Sequence, residues 1–156
     1  MSPAAKPTAK SAAKKTNVWS AAEKAAMKEG ARERKSSGKV TPEQERAQGE
    51  SDIQEKIAGM PEPDKSLALR MHALVLKTAP DLMPRTYYGM PAYARDGKTI
   101  CFFKPASKFK ERYSTFGFEQ NARLDDGTMW PTSYAITKLS ADDEKKIAAM
   151  VKKAVG

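Results

Sequence analysis

The stretch TYYGMPAYARDGKTICFFK, residues 86–104, decides the fold. Thr86, Tyr87 and Tyr88 open it with the β-branched and aromatic residues that suit a strand. Gly89-Met90-Pro91 interrupts the run, and Ala92-Tyr93-Ala94 resumes it. Asp96-Gly97 is a hairpin pair, because a two-residue turn needs positive φ at both positions and these residues tolerate it. Lys98–Lys104 follows, with Ile100, Cys101, Phe102 and Phe103 consecutive at its heart. An unbroken apolar run predicts a central strand covered on both faces.

Downstream, Phe109–Phe116 reads as a further strand. Alternation sets Phe109, Glu111, Tyr113 and Thr115 on one face and Lys110, Arg112, Ser114 and Phe116 on the other. A loop runs through Asp125-Asp126-Gly127 to Trp130-Pro131, and Ser133–Leu139 reads as the last strand. Ser140 then caps a helix with Asp142, Asp143 and Glu144 at its positive end and Lys152 and Lys153 at its negative end. Ile147, Met150, Val151 and Val155 give that helix its apolar stripe.

Upstream, Leu67, Met71, Leu74 and Val75 recur at helical spacing and predict a helix over 64–78. Leu69, Ala73 and Leu76 widen the stripe to the breadth expected of a helix lying on a sheet. Ser51 is read as the cap of a short helix carrying Ile53 and Ile57, ended by Gly59 and the Pro61/Pro63 pair. Ser20 and Glu23 form a capping-box pattern ahead of AAEKAAMKEGARERK, a segment rich in helix formers but poor in large apolar groups.

The expected order is therefore a disordered Lys/Ala/Pro-rich arm over 1–18, a marginal N-terminal helix over 19–36, a polar linker over 37–50, and an α+β domain over 51–156 built from an antiparallel sheet packed with helices. Nothing in residues 1–16 can repay the entropy of ordering. The formal charge is +9, and residues 1–48 hold 11 basic and 5 acidic side chains against 17 and 14 in the rest, so most of the excess precedes the domain. One cysteine, Cys101, excludes an internal disulfide. With no apolar run near the roughly 20 residues that span a bilayer and no secretory h-region, the expectation is a cytoplasmic protein without membrane contact.

The segments 60–82 (MPEPDKSLALRMHALVLKTAPDL), 86–110 (TYYGMPAYARDGKTICFFKPASKFK) and 124–147 (LDDGTMWPTSYAITKLSADDEKKI) together resemble the YdhG-like family of small bacterial domains. The resemblance covers about residues 51–155, and Tyr88-Gly89-Met90-Pro91-Ala92-Tyr93 is its most specific part. It implies an α+β fold. Through a frataxin-like branch it also implies an iron chaperone using surface carboxylates, although no set of iron ligands can be matched here.

Four chemistries are weighed. His72, the only histidine, could serve Cys101 as base, but its place inside a helix favours a packed or partly exposed helical residue; no catalytic constellation or catalytic motif is found, and the expectation is a non-enzymatic protein. A hard cation such as iron could use Asp125 and Asp126 or Asp142 and Asp143, each pair also explained by a turn or a helix start. Lys6, Lys10, Lys14 and Lys15 could contact polyanions, giving a nucleic-acid-associated reading through the arm. Finally, Tyr87, Tyr88, Met90, Tyr93, Arg112 and Trp130 combine apolar area with hydroxyl, indole and guanidinium donors, the ingredients of a small-molecule pocket at the YGMPAY segment. A binding domain with such a pocket is the leading expectation, with a small-molecule or protein partner.

Overall fold

Two turns with positive φ organise the middle of the chain. Tyr88 (φ 50°) and Gly89 (φ 75°) join β1 (Met83–Tyr87) to β2 (Met90–Arg95). Asp96 (φ 52°) and Gly97 (φ 77°) join β2 to β3 (Lys98–Lys104). Paired positive φ gives a turn whose twist matches that of the strands it connects. β4 (Ser114–Phe118) and β5 (Ser133–Ile136) complete an antiparallel sheet in the order β1-β2-β3-β4-β5. The computed structural model describes residues 19–36 and 40–156. The arm, with Lys6, Lys10, Lys14 and Lys15, lies outside the described residues, as does the 37–39 part of the expected linker.

Cross-strand register explains which side chains meet the helices. Tyr93 pairs with Cys101, Cys101 with Phe118, and Phe103 with Phe116. This row is buried with Ile53, Met71, Val75, Ile147 and Val151 in one core. Burial of each large side chain there contributes roughly 1.5–3 kcal/mol. On the opposite face Ala92, Phe102 and Gly117 stand in line. The Phe102 ring packs so closely over Gly117 that a methyl at position 117 would overlap it. β3 is thus less evenly covered than its apolar run predicts: Cys101 and Phe103 are fully buried, whereas Phe102 is half-buried and itself does the covering.

Helix α3 (Asp64–Thr78) buries Leu67, Ala68, Met71, His72 and Val75, while Leu69 is exposed. Its Arg70 binds the Glu144 carboxylate (2.9 Å) and the Leu139 carbonyl (2.8 Å), which ties it to α5 (Ala141–Val155). Ser140 and Asp143 cap α5 reciprocally, and the backbone and hydroxyl hydrogen bonds from Ser140 hold the Asp143 carboxyl below the usual carboxylate range. The α+β architecture is the one the residues predict.

Three segments differ from expectation. Residues 42–50 are not linker: α2 runs from Pro42 to Ala58. Thr41 caps it in a reciprocal box with Gln44, and Pro42 occupies the first turn. Ser51 therefore lies inside this helix and caps nothing. The second departure is at Phe109–Phe116. Ala106–Phe109 forms one helical turn, α4, Lys110 takes φ 54°, and the strand starts only at Ser114. Buried Asp64 imposes this path by accepting the Ser107 N–H (2.8 Å) and the Ser114 hydroxyl (3.1 Å). The third is the last strand, which ends at Ile136 rather than Leu139.

The N-terminal helix α1 (Ala21–Ser36) docks. Ala26 is buried, and Gly30 sits against the Tyr88 ring so closely that an added methyl would come within 2.9 Å of it. Ser20 accepts the Glu23 N–H at 3.1 Å.

Candidate functional site: the cleft behind the Tyr88-Gly89 turn

Gly89 lets three elements converge on one hairpin tip. With no side chain at that position, Glu29 of α1 and the Lys108 ammonium lie directly on the backbone, where a methyl would overlap both. Lys108 donates to the Tyr88 carbonyl at 3.2 Å. Glu29 Oε2 is 3.0 Å from Lys56 Nζ and 3.4 Å from Lys108 Nζ, so one carboxylate is shared between two amines. Burial pushes the Glu29 carboxyl up, but the Lys56 hydrogen bond and the Lys108 and Lys56 charges outweigh it and hold the group low.

Beside this ion cluster lies a cleft of about 530 Å³. Met60, Pro61 and Pro105 supply apolar walls, Gly89 the backbone edge, and Glu55, Lys56, Ser107 and Lys108 the polar groups. The Asp64–Ser107 hydrogen bond fixes the α4 turn that presents Ser107 and Lys108. A volume of this size with mixed walls suits a small organic molecule.

A second cavity, about 310 Å³, lies at the other hairpin and is lined by Arg95, Asp96, Lys98, Ile100, Asn121, Arg123 and Ala154. Arg95 donates to the Val155 carbonyl. Its polar rim would accept an anion, but only Ile100 and Ala154 offer it apolar surface.

The expected aromatic pocket does not form as one unit. Tyr93 is fully buried and Met90 nearly so. Tyr87 and Tyr88 are half-buried and meet edge to face at 4.6 Å. Arg112 is exposed and stacks over Tyr113, with 5.1 Å to the ring centroid. Trp130 packs against the core from the loop before β5. None of the six lines the cleft, although Gly89 between them does. The reason is placement: Tyr88 stands in the turn with its ring against Gly30 of α1, whereas Tyr93 of β2 is buried in the core. Lys56, Met60, Pro61, Pro105, Ser107 and Lys108 are not legible as site residues in the sequence, because no periodic pattern or motif joins them.

His72 also has partners other than the one weighed for it. Its Nδ1 is 2.8 Å from the Tyr93 hydroxyl, and its Nε2 is 2.8 Å and 2.9 Å from the two Glu50 oxygens. The arrangement is satisfied when Nε2–H donates to Glu50 and Nδ1 accepts from Tyr93. Burial raises the Tyr93 hydroxyl well above its ordinary range and pushes the Cys101 thiol up as well. With both His72 nitrogens committed and Cys101 buried as a thiol, the pair is not a base and nucleophile.

The carboxylates weighed for metal also stay apart. Asp125 and Asp126 are exposed in their turn, and Asp142 and Asp143 stand at the start of α5, where Asp143 serves the cap. Among the described residues no group of three or more His, Cys, Asp or Glu side chains could hold a metal ion.

Glu29 and Glu50 make stability pH-dependent. Burial pushes Glu50 up, but hydrogen bonds from Gln54 and His72 and the charge of Arg46 bring it below the ordinary value of 4.5. A carboxyl depressed in the folded state contributes stability that is fully present above its unfolded pKa and lost as pH falls through the folded one. Thermal unfolding between about pH 6 and about pH 3 should therefore show a smaller fall in Tm for Glu29→Gln and Glu50→Gln than for the parent chain. Equal falls in all three proteins would contradict the assignment.

Among the described residues no helix is long and apolar enough to cross a membrane. No family model, curated protein or solved structure compared with this chain matches it.

Proposed function

We propose that this chain is a YdhG-like binding domain that holds a small organic molecule in the cleft behind the Tyr88-Gly89 turn. The observation that carries this reading is the cleft's construction. A volume of about 530 Å³ is walled by Met60, Pro61 and Pro105, rimmed by Glu55, Lys56, Ser107 and Lys108, and set against the turn of the most family-specific segment. Apolar walls give affinity through the area they remove from water, and a few fixed polar groups give orientation. Binding rather than catalysis suits these side chains, since no nucleophile among them is hydrogen-bonded to a general base.

Benzyl alcohol is a suitable neutral probe. In a titration followed by amide chemical shifts, it should move Gly89, Ser107 and Lys108, with a Kd on the order of 10 mM for a molecule of its size. Met60→Glu, which puts a charge on the apolar wall, should weaken it about tenfold. Arg123→Ala, in the other cavity, should leave it unchanged. Shifts confined to the Arg95/Lys98/Arg123 cavity, or no shifts at either place, would end the proposal.

A further inference from the structure

Over residues 21–31, helix α1 is attached to the domain by little apolar surface of its own. Ala26 and Gly30, one turn apart, are its buried positions among residues 21–31, while Met27 is 37% exposed. An alanine and a glycine remove little area from water, so packing contributes weakly. A polar link accompanies this packing. Glu29 reaches Lys56 of α2 (3.0 Å) and Lys108 of α4 (3.4 Å) with its side chain only 22% exposed. Both lysines also line the cleft. A carboxylate of the chain itself thus occupies the cationic rim of the site proposed above.

We infer that Glu29 is a tethered stand-in for the ligand's own acidic group. The cleft takes a molecule with an apolar body and a carboxylate, which binds Lys56 and Lys108 in place of Glu29 and releases α1. This rests on the binding-domain reading and adds to it a ligand class and a gate. With α1 seated, Glu29 and the cleft-lining Glu55 balance the formal charges of Lys56 and Lys108; without Glu29, one carboxylate remains against two ammonium groups and the rim is cationic. Ammonium groups bind a carboxylate best where solvent is partly excluded, as it is here. A ligand with the same affinity for the open and closed forms would shift nothing, so the displacement requires that ligand and Glu29 compete for the same amines.

The test compares benzoate with neutral benzyl alcohol on the full chain at fixed ionic strength. Glu29→Gln removes the internal charge and keeps the side-chain size; it should strengthen benzoate binding about tenfold and leave benzyl alcohol within about twofold. Gly30→Val drives α1 off the Tyr88 ring while Glu29 is retained, and should give the same gain for benzoate. In the parent chain, saturating benzoate should speed hydrogen exchange of the residue 26–31 amides, a readout that a merely structural role for Glu29 would not move. Benzoate affinity unaltered in both variants, or α1 amides as protected with benzoate as without it, would overturn the inference. If benzyl alcohol still occupies the cleft in that case, the binding-domain reading survives; if neither probe enters it, both fall.

Discussion

Gly49→Ala is expected to destabilise the domain by about 3 kcal/mol, lowering Tm by roughly 10 °C. Local propensity argues the opposite. Gly49 lies inside α2, where alanine is favoured over glycine by about 1 kcal/mol. Packing decides the sign. A methyl at position 49 would overlap the carbonyl oxygen of Pro84 in β1, a backbone atom that cannot rotate away. The helix would have to withdraw from the sheet edge, carrying Ile53 and Ile57, which are 0% and 1% exposed, and the Arg46 hydrogen bond to the Leu82 carbonyl. Gly59, at the end of the same helix, is the control. Its φ is −83° and its nearest heavy atom would be 3.7 Å from an added methyl. Gly59→Ala should be neutral or stabilise by about 0.5 kcal/mol. Denaturant unfolding of the two variants side by side would measure the contrast; equal stabilities would refute the close approach of α2 to β1.

The same glycine explains why α2 was hidden in the sequence. Its buried positions are Gly49, Ile53 and Ile57, each one turn from the next. Read for hydrophobicity, the first of these is a gap, and PEQERAQGE looks like polar linker. Its Thr41-Pro42-Glu43-Gln44 start carries both a capping box and a first-turn proline, a legible signal, but no apolar stripe follows it to mark a helix. By contrast α3 and α5 announce themselves because each combines a periodic stripe with clear ends. The Asp96-Gly97 hairpin is similarly explicit, since turn chemistry is local. Phe109–Phe116 was misread for the converse reason. Its alternation is real in the sequence, but buried Asp64, 50 residues from Ser114, bends the chain into α4, and no local pattern encodes that hydrogen bond.

The candidate site was legible only in place, not in membership. The YGMPAY segment does stand at it through Gly89, because the backbone freedom of a glycine in a turn is a local property. The side chains that line the cleft come from α2, the loop that follows it, and the α4 turn, and only the assembled fold brings them together. Large aromatic side chains drew attention as candidate ligand surface, yet Tyr93 is the clearest case in which aromatic size led instead to the core.

The second large effect concerns that tyrosine. His72→Leu should cost about 3 kcal/mol, because it leaves the Tyr93 hydroxyl in the core without its partner and forfeits the link to Glu50. Tyr93→Phe should cost about 1.5 kcal/mol, mostly by stranding Nδ1 of the buried His72. The informative measurement is the double variant. Removing a hydroxyl and an imidazole together leaves no orphaned nitrogen or hydroxyl between them, so the pair of substitutions should cost less than the sum of the singles by about 1–2 kcal/mol. A structural hydrogen bond behaves this way because much of each single cost is the penalty for burying the group left behind. Strict additivity in urea unfolding would mean that the two groups do not depend on each other. It would then dissolve the polar link that connects α2, through Glu50, and α3, through His72, to the centre of the sheet.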